Sequence, residues 1–256
     1  MQNLHYQILG SGKPIILVHG WAMHSGIWRR FAENLAQQYQ VTCIDLPGHG
    51  RSEKLDPFTL EHISAALVNA VQEQSACWLG WSLGASVVLD LARRFPERVN
   101  ALILLAGNPH FTETMDWHGV DVQLLNAFAD NLNKDCQATL LRFLALQVNG
   151  LADAKVLLKE LKVAVFECPP PDSDTLQSGL NILKQSDLRP ELAQTNKPVS
   201  LILGNRDTLI PVAVAGQMQA LCPNLELNII DRAGHVPFLS HRQELLAIIS
   251  RFMFHS

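Results

Sequence analysis

Apolar residues recur along this chain with two alternating periods. Short apolar runs, Ile15-Ile16-Leu17-Val18, Val41-Thr42-Cys43-Ile44, Ala76-Cys77-Trp78-Leu79, 99–105 and 199–204, have the length of buried strands, and 225–230 reads as one more strand. Between them the apolar positions take helical spacing. Ile27, Trp28, Phe31 and Leu35 mark a helix over 25–38, and Leu60, Ile63, Leu67 and Val71 mark one over 59–72 with Thr59 as its N-cap. Val87, Val88, Leu91, Ala92 and Phe95 mark a third over 85–95, and 212–221 and 243–254 read as later helices. An edge strand is expected at 6–9, ended by Gly10-Ser11-Gly12. Strands alternating with amphipathic helices predict an α/β fold, a mostly parallel sheet with helices on both faces.

The alternation stops at Gly107-Asn108-Pro109. From 110 to 187 the pattern is helical throughout, over 120–132, 135–148, 152–166 and 173–185, with Pro169-Pro170-Pro171 separating the last two. A connection this long is expected to be a functional insertion, here a helical lid, leaving 1–109 and 188–256 as the core.

Composition narrows the function classes. A hydrophobic fraction of 48% and a charged fraction of 17% describe a globular chain with ample core. A net charge of −4 and the lack of any Lys/Arg-rich run argue against nucleic-acid binding. The five cysteines, Cys43, Cys77, Cys136, Cys168 and Cys222, never fall as Cys-x-x-Cys; they are expected to be buried thiols, neither a disulfide framework nor a zinc site. Met1 to Tyr6 lacks the regions of a signal peptide and no apolar run is long enough to span a membrane, so a cytoplasmic protein, without metal or cofactor, is expected.

The candidate chemistry begins at Gly80-Trp81-Ser82-Leu83-Gly84, a G-x-S-x-G placed between an expected strand and an expected helix. The alternative is a glycine-punctuated turn with an incidental serine. A serine hydroxyl needs a base, and the base an orienting acid. Two later strands end in suitable residues, Asp207 after Leu203-Gly204-Asn205-Arg206 and His235 after Asp231-Arg232-Ala233-Gly234. Catalytic groups in parallel sheets gather at the carboxyl ends of strands, so Ser82, Asp207 and His235 are expected to converge in the chain order of an α/β-hydrolase triad. Asp231 is the rival acid, four residues before His235 near the end of the same strand, while His5, His62 and His241 are read as surface or structural. Oxyanion donors are expected from the backbone N–H of Leu83 and from Trp21, in the His-Gly-X loop His19-Gly20-Trp21. The Trp21 indole either floors an acyl pocket or simply packs.

His19-Gly20, Asp45-Leu46-Pro47-Gly48-His49-Gly50-Arg51-Ser52, Gly80-Trp81-Ser82-Leu83-Gly84, Gly204-Asn205-Arg206-Asp207 and Ala233-Gly234-His235 together resemble the α/β-hydrolase superfamily and cover the core from end to end. His-Gly-Trp, Gly-Trp-Ser-Leu-Gly, Arg142-Phe143-Leu144-Ala145-Leu146-Gln147 and Ser178-Gly179-Leu180-Asn181-Ile182-Leu183-Lys184, followed by Asp187-Leu188-Arg189, resemble the carboxylesterases of biotin synthesis. That family hydrolyses the methyl ester of pimeloyl-acyl carrier protein. The resemblance implies that Phe143, Leu144, Ala145, Leu146 and Gln147 line the acyl channel, with Trp21 and Leu83 beside Ser82 and His235. It also gives a reading to Lys155, Lys159 and Lys162, which share one helical face near Arg142: a contact for the acidic carrier protein, where the residues alone favour a plain solvated face. Gln137 and Ala138 add no charge there. The chain is expected to act as a monomer. Lactonases, carbon–carbon hydrolases, general short-chain esterases and ligand receptors share this fold and stay as alternatives. Haloalkane dehalogenases, with Asp in place of Ser82, are set aside.

Overall fold

A computed structural model describes residues 3–255; Met1 and Gln2, part of the segment read for a leader, lie outside the described residues. The core opens with β1 (Tyr6–Leu9), β2 (Pro14–Val18), a 3-10 turn (Ser25–Trp28), α1 (Arg29–Leu35), β3 (Gln40–Ile44) and α2 (Leu60–Ala70). β4 (Ala76–Trp81), α3 (Leu83–Arg94) and β5 (Val99–Leu105) follow. The segment 110–187 carries α4 (Val122–Leu132), α5 (Cys136–Gln147), α6 (Ala154–Val165) and α7 (Ser173–Gln185). The chain then returns to the core through α8 (Arg189–Gln194), β6 (Val199–Gly204), α9 (Val214–Leu221), β7 (Glu226–Ile230), α10 (Pro237–Ser240) and α11 (Arg242–His255).

The strands form one sheet in the order β1-β3-β2-β4-β5-β6-β7, parallel except for β1. Every residue of β4 and β6 is buried, which is why these strands read as continuous apolar runs. From β2 the chain steps outward to β3 and then crosses to β4 on the other side of β2. That reversal opens a crevice at the carboxyl ends of β2 and β4, the loops carrying Trp21 and Ser82. Register brings them together, Val18 pairing with Gly80.

Several elements differ from their patterns. The helix expected over 25–38 is a 3-10 turn followed by the short α1, because the His24 ring accepts from Gly26 N and caps the turn separately. α2 stops at Ala70, where Val71 turns extended. α8 and α10 were not expected; at six and four residues, each with proline in its first turn, they are too short to show a period. Cys136 departs from the expected burial: it is half-exposed in the first turn of α5, while Cys43, Cys77, Cys168 and Cys222 are buried. No helix among the described residues is long and apolar enough to cross a membrane.

Candidate active site

Ser82 sits between β4 and α3 with φ 56° and ψ −117°, a left-handed conformation that a side chain tolerates only under constraint. The constraint is visible. Ser82 N donates to Leu105 O at 3.1 Å and Ala85 N donates to Ser82 O at 2.9 Å, so sheet and helix both hold the elbow. The flanking glycines are required by close approach: a methyl at Gly80 would strike the Gly84 carbonyl, and one at Gly84 would strike the carbonyl of Val18. Gly20 brings the β2 loop against the nucleophile, where an added methyl would lie 3.2 Å from Ser82 Cβ. Leu83 is the first residue of α3, and its N–H points out of the helix N-terminus. Among the described residues, neither the Leu83 nor the Trp21 backbone N–H has an acceptor, so both are available as donors.

The candidate base and acid lie in contact. His235 Nδ1 donates to Asp207 Oδ2 at 2.8 Å, with both side chains fully buried. The other carboxylate oxygen, Oδ1, accepts from Leu209 N at 2.8 Å and Ile210 N at 3.0 Å, which fixes the carboxylate plane. His235 Nε2 is buried and has no hydrogen-bond partner among the described residues. Ser82 Oγ forms no hydrogen bond to it in this conformation, a looseness usual before substrate tightens a triad. Asp231, the rival acid, is exposed; it accepts from Asn205 Nδ2 at 2.8 Å and pairs with Arg232, and those partners hold its carboxyl below the usual range. Asn205 Oδ1 in turn accepts from Arg232 N at 2.7 Å, so Asn205 and Asp231 tie the acid loop to the base loop.

Two residues support the candidate base in a way the sequence reading does not assign to them. Trp81 Nε1 donates to His235 O at 2.8 Å, and the two rings lie 5.6 Å apart. From the inserted segment, Gln147 O accepts from His235 N at 3.3 Å. The signal for Trp81 was its place directly before the serine; the backbone bond to Gln147 leaves no sequence signal.

The expected channel residues divide by helical phase. Phe143, Leu144 and Gln147 are buried, whereas Ala145 is exposed and Leu146 half-buried. Phe143 meets the Trp21 indole edge-on at 4.8 Å. Arg142, Ala145 and Leu146 instead line a cavity of about 440 Å³ between α4 and α5, together with Leu124, Phe128 and Asn131. Phe128 joins the two sides, packing on both Phe143 and Trp21. The Trp21 indole is fully buried, and its Nε1 donates to Leu176 O at 2.8 Å.

On α6, Lys155 and Lys159 are exposed and Lys162 half-exposed. None of them, nor Arg142, has an ion-pair partner among the described residues, whereas the neighbouring Glu160 faces Arg30 and Glu167 faces Arg29 and Arg51. Val156 and Val163 lie exposed on the same helix. Among the described residues no cluster of three or more His, Cys, Asp or Glu side chains is arranged to hold a metal ion.

Residues 13–242 match the alpha/beta hydrolase fold family model. A pimeloyl-[acyl-carrier protein] methyl ester esterase of Methylococcus capsulatus is 40% identical over 98% of each chain. One of Nitrosomonas europaea is 39% identical over 96% of this chain and 98% of its own. This chain belongs to the α/β-hydrolases, in the family of those esterases. Solved α/β-hydrolase structures agree on the fold: an esterase from Exiguobacterium antarcticum superposes with a TM-score of 0.88 at 19% identity, covering 98% of this chain and 96% of that one. An enol-lactonase from Burkholderia xenovorans gives 0.84 at 18% identity, covering 99% and 97%. The family shares its fold with lactonases, so substrate has to be argued from the site.

Proposed function

We propose that this chain is a serine carboxylesterase that hydrolyses the methyl ester of pimeloyl-acyl carrier protein, releasing methanol. The observation that carries the reading is the buried His235–Asp207 pair beside the Ser82 elbow, in a chain similar over nearly its whole length to esterases of that name. His235 Nε2 takes the Ser82 proton as Oγ bonds to the ester carbon, and the carbonyl pair becomes an oxyanion held by the N–H groups of Trp21 and Leu83. Asp207 fixes the imidazole tautomer and stabilises its charged form. Collapse of the intermediate breaks the carbon–methoxide bond, and His235 gives the proton to the departing methanol. Water then enters, loses a proton to His235 and attacks the acyl-enzyme; expulsion of Ser82 Oγ, reprotonated by His235, yields the free acid.

The helical segment 110–187 serves as a lid, with Phe143 and Gln147 lining the acyl site from above. Arg142, Lys155, Lys159 and Lys162, unpaired on its outer face, receive the acidic carrier protein, with the exposed Val156 and Val163 adding apolar contact. The enzyme works as a monomer in the cytoplasm.

The test compares hydrolysis of methyl pimeloyl-acyl carrier protein with free monomethyl pimelate and p-nitrophenyl butyrate, using Ser82→Ala as the blank. A kcat/KM preference for the carrier-bound ester that falls with added salt is expected. Comparable rates on the small esters, with the carrier-bound one neglected, would leave a general carboxylesterase. A single burst of product without turnover would leave a receptor.

A further inference from the structure

α7 carries a glycine in its interior. Gly179 is the seventh residue of a thirteen-residue helix, buried, and not at a turn. Glycine at such a position is unfavourable relative to alanine, so its presence calls for a packing reason. The reason is the Trp21 indole. A methyl group at Gly179 would lie 2.6 Å from Trp21 Cδ1 and 3.0 Å from Nε1, well inside contact distance, and 3.7 Å from Leu83 Cδ2. One backbone position on α7 therefore abuts both residues whose N–H groups form the oxyanion site. One turn earlier on the same helix, Leu176 O accepts the indole N–H at 2.8 Å. Phe143 of α5 closes the indole edge-on at 4.8 Å, and Phe128 of α4 lies 6.4 Å away. Below the loop, Gly20 rests on Ser82. The indole is thus gripped by three helices of the inserted segment, while the residue before it, Gly20, lies against the nucleophile.

We propose that Gly179 is a positioning residue of the oxyanion site: by admitting the Trp21 indole against α7, it lets the inserted segment set where the Trp21 N–H points. The inference rests on the esterase reading above. An oxyanion donor is effective only within a few tenths of an ångström of its place, and a side chain clamped from above transmits a displacement to its own backbone. A methyl at Gly179 has to move either α7 or the indole.

The experiment is a double-mutant cycle of Gly179→Ala and Trp21→Phe, read as kcat and KM on p-nitrophenyl butyrate. It is also read as the affinity of an alkyl trifluoromethyl ketone, to which Ser82 Oγ adds while its proton passes to His235 and the ketone oxygen becomes the oxyanion. Gly179→Ala is expected to lower kcat about 10- to 100-fold, less than the roughly 100- to 1000-fold cost of deleting a donor. KM should stay within about twofold and ketone affinity fall in parallel with kcat. Gln177→Ala, two residues away on the same helix, should leave both unchanged. With Phe at position 21 the smaller ring vacates the space, and adding Gly179→Ala should then cost less than about twofold in kcat. A simple packing role would change Tm and leave the ratio of ketone affinity to KM alone. Equal losses in both backgrounds, or a Gly179→Ala enzyme with wild-type kcat, would overturn the inference. If Gly179→Ala does not fold, Trp21→Phe decides: loss of the indole–Leu176 bond should lower kcat and ketone affinity with KM held, and unchanged kcat would sink the idea. No Ser82-dependent turnover by the wild-type chain would overturn the esterase reading as well, whereas wild-type turnover with an unaffected variant overturns this inference alone.

Discussion

Acid should destabilise this protein well before its carboxylates titrate, because two histidines are buried neutral under the oxyanion loop. His19 is fully buried, with both ring nitrogens committed: Nδ1 donates to Gly20 O at 2.9 Å and Nε2 accepts from Leu46 N at 2.9 Å. A second proton on Nε2 would face the Leu46 N–H. His49 is also fully buried, donates from Nδ1 to Pro47 O at 2.9 Å, and leaves Nε2 without a partner among the described residues. Their rings lie 5.4 Å apart, with Asp45 and His24 as ionisable neighbours of both and Asp172 of His49. Burial, and then repulsion from His49, pulls the His19 pKa down from 6.5 to about 3 against the opposing pull of Asp45. Burial likewise lowers His49 to about 4.

Both folded-state values lie below the unfolded one, so the unfolded chain binds more protons and stability is lost as pH falls from about 6.5 toward the folded values. At pH 5 the loss depends almost entirely on the unfolded pKa, because both folded values lie lower still; each histidine then forfeits about 2 kcal/mol relative to pH 7.5, together about 4 kcal/mol. Asp45 is desolvated, but its interaction with the His19 proton and the backbone N–H groups of Ser25 and Arg51 outweigh that and hold its carboxyl below 3.8, so its contribution is lost only at lower pH, outside this window. Urea unfolding at pH 7.5 and pH 5.0 measures the change in wild type and in His49→Asn, whose amide replaces the Nδ1 donor without titrating. The pH-dependent loss in His49→Asn should be smaller by about 2 kcal/mol. A variant that loses as much as wild type, or a wild type that loses under about 1 kcal/mol, would refute the reasoning.

Two further expectations separate roles within the site and on its outer face. Asp207→Asn should lower kcat by about four orders of magnitude by releasing the imidazole tautomer, while Asp231→Asn, at an exposed ion pair, should stay within about threefold; the reverse result in steady-state assays would reassign the acid. Lys155→Glu with Lys159→Glu should raise KM for the carrier-bound ester about tenfold or more and leave p-nitrophenyl butyrate unaffected, and equal effects on both would return these lysines to plain solvated surface.

The core was legible because its constraints are local. Buried strands at 15–18, 76–79 and 199–204 cannot hide their apolar runs; Ser82 and Asp207 lie in the loops beyond two of them, whereas His235 lies five residues past the edge strand β7, which is only partly buried. Sheet order then does the rest, since parallel strands bring their carboxyl ends to one edge. The inserted segment was legible as helices but not as a surface. Its five-residue stretch Phe143 to Gln147 spans about 1.4 helical turns, so its members cannot all face the same way, and the structure divides them between the Trp21 side and the outer cavity. The contacts of Trp81, Asn205 and Gly179, residues the motifs already include, were illegible for a different reason. What they do depends on contacts to partners 26 to 158 residues away, made in part through backbone atoms, and no local period reports those.

These long-range contacts also change what the inserted helices are. A helix leaves its last carbonyls without internal partners, and α5 gives two of them to the loops carrying the candidate acid and base. Leu146 O accepts from Thr208 Oγ1 at 3.3 Å, beside the acid, and Gln147 O accepts from His235 N at 3.3 Å, on the base itself. α7 supplies a third carbonyl, that of Leu176, to the indole of the oxyanion loop. Acid loop, base and oxyanion loop are thus each bonded to the same insertion at a different point. Without it, the His235 N–H and the Trp21 indole N–H, on residues buried in the folded chain, would each lose its acceptor, at a cost of roughly 1–3 kcal/mol apiece if left dry. A cover that only excluded water could swing away and leave a competent site behind. Opening of the α5 and α7 ends would therefore disturb the proposed base and a proposed oxyanion donor together, whereas the open space of the segment lies between α4 and α5. The cavity lined by Leu124, Arg142 and Leu146 already reaches inward there as far as Phe128, which itself packs on Trp21.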